Sequence, residues 1–218
     1  MRVGLDPSRP PFAFFDADGG YAGIEIDLAR ELGVAFGVEV VLVPLGFDGL
    51  YDALQTNQVD VVIAGLQPDF GAARRGVVYS RHYFDAGLVL VGPDAIGGMT
   101  DLPGYALAYE FGSVADALAH RWLRRVRPFE LRPYQLPIHT LQAVEYGEAD
   151  VALVDAVTAR RYLRDSPALM AGSPVSVTHA WYTVTIREGR GELLRAVNDT
   201  LNDLDDTGRL EALVGAWL

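Results

Sequence analysis

The chain has no cysteine and no lysine: all 18 basic residues are arginine, against 29 acidic ones, for a formal net charge of −11. Missing thiols exclude disulfides, thiolate metal sites and cysteine nucleophiles. The shortage of positive charge excludes the broad basic surface that phosphate backbones require, so no nucleic-acid partner is expected. The one basic cluster, RWLRRVR at residues 121–127, spaces its arginines as the exposed face of one helix would. No apolar run approaches the ~20 residues of a membrane-spanning helix. The opening MRVGLDPSRPP enters a strand-like segment without the apolar core of a signal peptide. The motifs G-x-G-x-x-G, Walker A, H-E-x-x-H and G-x-S-x-G are all absent. His82, His120, His139 and His179 are scattered, none at metal-ligand spacing to another. No metal or cofactor is therefore expected.

What the chain does have is one cassette written twice. Residues 54–66 read LQTNQVDVVIAGL and residues 144–156 read VEYGEADVALVDA. Each is the tail of a helical pattern, a polar turn, Asp-Val and a short apolar run of the kind that suits a strand buried on both faces. The strands end at Ala64-Gly65 and at Asp155. Open α/β sheets bind ligands beyond the carboxyl ends of their strands. Two copies a small domain apart predict two α/β lobes presenting strand ends to a shared cleft.

The rest of the chain fits that frame. Residues 2–5 read as a strand; Pro7, Pro10 and Pro11 then force an extended loop. A reversal at residues 16–20 separates two short strands, and an amphipathic helix follows, with Ile24, Leu28, Leu32 and Ala35 on one face and Gly37 at its end. Residues 38–45 read as a strand, 49–55 as a short helix, and 67–78 as a loop or irregular helix. Residues 87–91 give another apolar strand. Beyond the turn Asp101-Leu-Pro-Gly, strands are expected at 105–109, 129–134, 151–154 and within 175–186. Helices are expected from Ser113 to about 126, at 140–146 and 156–164, and at 192–206 and 210–218. Strands alternating with helices argue for α/β architecture with mainly parallel sheets. Asn198-Asp-Thr has the form of a glycosylation sequon but falls inside a helix. The close acidic pairs Asp16/Asp18 and Asp205/Asp206 read as solvated charge.

The order of motifs resembles the family 3 extracellular solute-binding proteins, the amino-acid-binding components of bacterial ABC importers. The resemblance is carried by Val3-Gly-Leu-Asp-Pro-Ser-Arg-Pro-Pro-Phe, Gly23-Ile-Glu-Ile-Asp-Leu-Ala, Phe47-Asp-Gly-Leu, Val59-Asp-Val-Val-Ile-Ala-Gly-Leu and Tyr79-Ser-Arg-His-Tyr-Phe-Asp-Ala-Gly. In the second half it is carried by Asp101-Leu-Pro-Gly, Phe111-Gly-Ser, Ala149-Asp-Val-Ala-Leu-Val-Asp and the ending from Glu192-Leu-Leu-Arg through Trp217. It implies the two-lobed type II periplasmic-binding-protein fold, each lobe a mainly parallel sheet flanked by helices, joined by two hinge strands. Lobe 1 would be residues 1–90 plus 186–218 and lobe 2 residues 93–184, with hinges at 89–91 and 185–187. The lobes would close on the ligand by hinge bending. The resemblance also implies an extracytoplasmic monomer that serves the membrane subunits of an ABC transporter.

The resemblance assigns the site residue by residue. Ser113 and the Val114 amide would hold a ligand carboxylate at a helix start, although Ser113 equally fits a plain N-cap. Asp155 would accept the ligand ammonium, or cap the helix after it. Asp6 would line the pocket, or cap the Pro7–Pro11 turn. Phe47 would form a wall, or pack in the core. Ala64 and Gly65 would offer backbone groups and Gln67 an amide. This chain departs from the pattern in three places. The family's carboxylate-binding Arg falls on Ala72 in strict spacing, leaving Arg74, then Arg75, as replacements. Arg9 stands where many members stack an aromatic ring. Glu110 adds a carboxylate near the mouth of lobe 2. Three acids with an uncertain cation would suit a ligand with extra positive charge, or one lacking the usual carboxylate; an amino acid or related amine is the expected solute. Two other uses of the fold stay open: a sensing module of a larger receptor or cell-wall enzyme, and a cyclohexadienyl-dehydratase-like lyase with Glu110 as general acid.

Overall fold

The computed structural model describes residues 1–68, 76–166 and 174–218. In chain order the strands are β1 (Arg2–Leu5), β2 (Ser8–Arg9), β3 (Ala13–Phe15), β4 (Tyr21–Ala22), β5 (Val41–Pro44), β6 (Val61–Leu66), β7 (Val77–Asp85), β8 (Leu88–Val91), β9 (Ala106–Glu110), β10 (Glu130–Tyr134), β11 (Val151–Asp155), β12 (Val175–Ser176) and β13 (Trp181–Arg187). The helices are α1 (Ile24–Phe36), α2 (Leu50–Gln55), α3 (Val114–Leu123), α4 (Pro137–Glu145), α5 (Ala156–Asp165), α6 (Gly191–Asp206) and α7 (Arg209–Gly215). Contacts divide the chain into unit 1, Met1–Phe84 with Trp181–Leu218, and unit 2, Asp85–Ala180. The segments expected as hinges, 89–91 and 185–187, lie in β8 and β13. β8 pairs with β11 in unit 2 and β13 with β6 in unit 1, so each strand stays whole within one unit.

Unit 1 holds a sheet in the order β5-β1-β6-β13-β7, with β5, β1 and β6 parallel and β13 antiparallel to β6. A small antiparallel sheet, β2-β3-β4, leads into α1. Unit 2 repeats the plan as β10-β9-β11-β8-β12, with β10, β9 and β11 parallel and β8 antiparallel to β11. The sheets are thus mixed. Their parallel parts are the βαβ portions, and the antiparallel strands enter where the chain passes between units.

The duplicated cassette builds the same device in each unit. After α2 and after α4, a residue at positive φ turns the chain: Asn57 at 60° and Gly147 at 72°. The N–H groups of Gln58 and Val59 bond back to Ala53 O, and those of Glu148 and Ala149 to Ala143 O. The cassette aspartate then fixes the neighbouring parallel strand. Asp60 Oδ2 accepts from Arg2 N at 2.8 Å, and Asp150 Oδ2 from Ala106 N at 2.7 Å. The return bonds, Asp60 N to Arg2 O and Asp150 N to Ala106 O, close each pair. All six residues of β6 and the first four of β11 are buried, as a strand covered on both faces requires. In unit 1 Leu50, Leu54, Val62 and Leu66 pack together; in unit 2 Leu90, Leu107, Leu118, Phe129 and Leu153 do.

Three elements differ from expectation. β7 occupies part of the stretch read as irregular, and residues 69–75 of that stretch lie outside the described ones. α3 ends at Leu123, so Arg124, Arg125 and Arg127 are exposed beyond its C-terminus rather than along its face. α4 begins three residues early, at Pro137, whose fixed φ suits a first helical position.

Candidate functional site

Each unit carries polar groups at the carboxyl ends of its parallel strands. In unit 1 the centre is Arg9. Its Nη1 donates to Ala64 O. Its Cζ lies 5.8 Å from the Phe12 ring centroid, 6.0 Å from Phe47 and 5.3 Å from Tyr182. Gly65 lies directly beneath the guanidinium, at φ 60°. A Cβ built there would run into Arg9 Nη1 and Nη2, so both the backbone and the close approach require glycine. Phe47, from a short 3₁₀ turn, is 47% exposed, which leaves that wall open to solvent.

Behind this group is a buried network that the sequence reading missed. Glu25, in the first turn of α1, is 1% exposed. Its Oε1 accepts from Tyr83 Oη at 2.7 Å, and Tyr83 Oη accepts from Gly65 N at 3.1 Å. Glu25 Oε2 has no protein partner among the described residues. Burial raises the Glu25 carboxyl, the Tyr83 hydrogen bond and the Arg9 charge lower it, and the balance leaves it pushed up to about 7. Burial also drives the Tyr83 hydroxyl well above its ordinary value. The one signal in the sequence was an acid set between Ile24 and Ile26 at a helix start.

The expected unit 1 residues divide as follows. Arg9, Phe47, Ala64 and Gly65 come together. The Ala64 carbonyl and Gly65 N–H, expected to face a solute, are engaged by Arg9 and Tyr83. Asp6 is buried, and its Oδ1 accepts from Ser8 N at 3.1 Å and Ser8 Oγ at 2.7 Å, closing the turn at Pro7. Gln67 is exposed just past β6. Arg74, Arg75 and Ala72 lie outside the described residues.

In unit 2 Glu110, Ser113, Val114 and Asp155 line one hollow of about 480 Å³, together with His179. Ser113 is the N-cap of α3: its Oγ accepts from Ala115 N at 3.1 Å and Asp116 N at 3.3 Å, and donates to Glu110 O at 2.7 Å. Asp155 caps α5 through Oδ1, which accepts from Thr158 N at 2.8 Å. One helix start and one carboxylate therefore face the same space, both held by the caps they form. His179 Nδ1 meets Asp85 Oδ2 at 2.5 Å, and Asp85 Oδ1 accepts from Gly87 N and Ala180 N. Burial pushes the Asp85 carboxyl up, but these hydrogen bonds outweigh it and leave it below the ordinary carboxylate range. A second hollow, of about 450 Å³, lies at the opposite strand ends around Ala106, Glu130 and Asp150. Its polar groups are used structurally, Asp150 by Ala106 N and Glu130 by Arg132. Among the described residues no cluster of His, Asp or Glu could hold a metal ion.

Over its whole length the chain is 29% identical to the L-cystine-binding protein TcyJ of Escherichia coli strain K12, covering 82% of that protein. It is 26% identical to the cyclohexadienyl dehydratase of Pseudomonas aeruginosa, again over all of this chain and 82% of the relative. Among solved structures, an ancestral cationic amino acid solute-binding protein matches with a TM-score of 0.68 and 31% identity, over 100% of this chain and 94% of that one. The relatives thus include binding proteins and an enzyme. The description of the bacterial extracellular solute-binding proteins, family 3, fits residues 1–218 without interruption, and the chain belongs to that family.

Proposed function

We propose that this protein binds an amino acid or a related amine and delivers it to the membrane subunits of an ABC importer. The observation that carries the reading is the unit 2 hollow. There the Val114 amide at the start of α3 and the Asp155 carboxylate at the start of α5 face one space. An α-amino acid presents a carboxylate and an ammonium on one carbon, and a helix start and an acid are what those two groups need. The cystine and cationic amino acid binders among its relatives support the same solute class. The extracellular family supports action outside the cytoplasmic membrane, and we expect a monomer, checked by light scattering.

A thermal-shift screen of the twenty amino acids, polyamines and small carboxylates tests the reading. A ligand at 100 times its Kd adds about 2.7 kcal/mol, a rise of several degrees. One chemical class of amino acids or amines should give that rise in wild type, and Asp155→Asn, which keeps the cap but drops the charge, should lose it. A screen without hits would reject the reading. The dehydratase relative motivates one competing activity, with Glu110 in the unit 2 hollow as its acid. Prephenate and arogenate should not be turned over; turnover lost in Glu110→Gln would make the protein a lyase.

A further inference from the structure

One wall of the unit 2 hollow stands apart from the groups that would hold a solute's carboxylate and ammonium. It is formed by His179 with Gly87, Leu88 and Thr178, which come from the two ends of unit 2. Those ends are bonded into one piece. Leu88 O accepts from Val177 N at 2.8 Å and from Thr178 N at 3.2 Å, and Leu88 N donates to Thr178 Oγ1 at 2.9 Å. Ala86 N donates to Ala180 O at 3.0 Å. A Cβ on Gly87 would stand 1.8 Å from Thr178 O, so only glycine allows so close an approach. Asp85 then fixes the imidazole. Its Oδ1 accepts from Gly87 N at 3.0 Å and Ala180 N at 2.9 Å, and its Oδ2 meets His179 Nδ1 at 2.5 Å. Asp85 titrates below the ordinary carboxylate range. An ionised carboxylate can only accept, so His179 carries a proton on Nδ1. In its neutral form the ring then has its acceptor at Nε2.

The sheet order relates this ring to the rest of the hollow. Across unit 2 the strands run β9, β11, β8, β12. β9 ends at Glu110 and leads into the start of α3, and β11 ends at Asp155. Asp155 pairs with Leu88, and the backbone of Val177 and Thr178 bonds to the other side of Leu88. Neighbouring strands lie about 4.8 Å apart, so the backbone leading to His179 stands about 10 Å from that of Asp155, on the side away from α3. A solute with its carboxylate at the start of α3 and its ammonium at Asp155 therefore directs its side chain across Leu88 toward His179. We infer that His179, positioned by Asp85, reads the end of that side chain, and that the solute is an amino acid with an apolar stem and a terminal hydrogen-bond donor. The inference rests on the proposed amino-acid function and narrows it. Leu88 meets the stem, and Nε2 accepts from the donor. His179 is then a specificity-determining residue and Asp85 a positioning residue.

The test is calorimetric titration of the full chain at pH 8 with two matched pairs, L-lysine with L-norleucine and L-glutamine with L-methionine. Within each pair the stems are alike, and only the first member ends in N–H donors. Wild type should bind the first member of its preferred pair more tightly than the second. His179→Phe should weaken that member about 10-fold, the scale of one hydrogen bond, and leave its twin unchanged. Asp85→Asn covers the case of a poorly folding H179F. Its side-chain oxygen keeps the two backbone N–H bonds while its NH2 donates to Nδ1, which moves the ring's proton to Nε2. The acceptor becomes a donor, so D85N should lose the preference for the first member as well. Equal losses for both members in H179F, or an unchanged preference in D85N, would make the pair structural and overturn the inference. A wild type that binds the twins equally overturns it and leaves the amino-acid function standing. A wild type that binds none of the four also overturns it, and the screen of all twenty amino acids then decides the function itself.

Discussion

The two cassettes share a frame and differ in the residue that ends each strand. In both, a positive-φ turn, a pair of back-bonds to an alanine carbonyl and a strand-locking aspartate deliver a buried parallel strand. Counting from that aspartate, Gly65 and Asp155 are equivalent, and there the units part. Unit 1 ends its strand on a bare backbone that lets Arg9 lie against it, over the buried pair Glu25–Tyr83. Unit 2 ends on a side chain that caps the next helix and faces a hollow. The frame is set by backbone hydrogen bonding, and the chemistry is set by one residue past it. A repeated scaffold can thus carry a positive group in one unit and a negative one in the other.

The largest expected effect sharpens this contrast through pH. Glu25 titrates near 7 in the folded chain against an ordinary 4.5, so the native state binds its proton more tightly than the unfolded state does. Its contribution is most favourable below pH 4.5 and is lost as pH rises through 7, by about 3 kcal/mol in total. Denaturant unfolding from pH 4.5 to 8 should show that loss in wild type relative to Glu25→Gln. Parallel pH profiles for the two would remove Glu25 from the account.

Substituting the equivalent positions comes next. Gly65→Ala forces a side chain into positive φ and against the guanidinium, and should cost about 2 kcal/mol. Asp155→Ala removes a helix cap and should cost about 1 kcal/mol. Chemical denaturation of both variants checks the order, and a reversed order would mean that Arg9 moves aside freely. The smallest effect belongs to Asp155→Asn, which keeps the cap and should change stability by a few tenths of a kcal/mol. Any larger loss would show that the charge serves the fold.

Much of the frame was legible because it is local. The cassette turns, the capping residues Ser113 and Asp155 and the end of α1 at Gly37 all depend on neighbours within a few positions. β7 was not legible, since Ser80, Arg81 and His82 interrupt its apolar pattern. The structure resolves them pairwise: Ser80 Oγ accepts from Val184 N at 2.9 Å, and Arg81 reaches Asp205 on α6. Arg9 was marked by its odd residue type, but its seat depends on Phe47, Gly65 and Tyr182, which only the tertiary fold brings to it. Glu25 was hidden for the same reason, because its partner Tyr83 lies on a strand far along the chain.

The most direct test of the account is titration calorimetry of wild type and Asp155→Asn with the amino acid that gives the largest thermal shift. The account predicts saturable one-site binding to wild type and an affinity about 10- to 100-fold lower in D155N at unchanged stability. Equal affinity in the two proteins, or no amino acid bound by wild type, would contradict it.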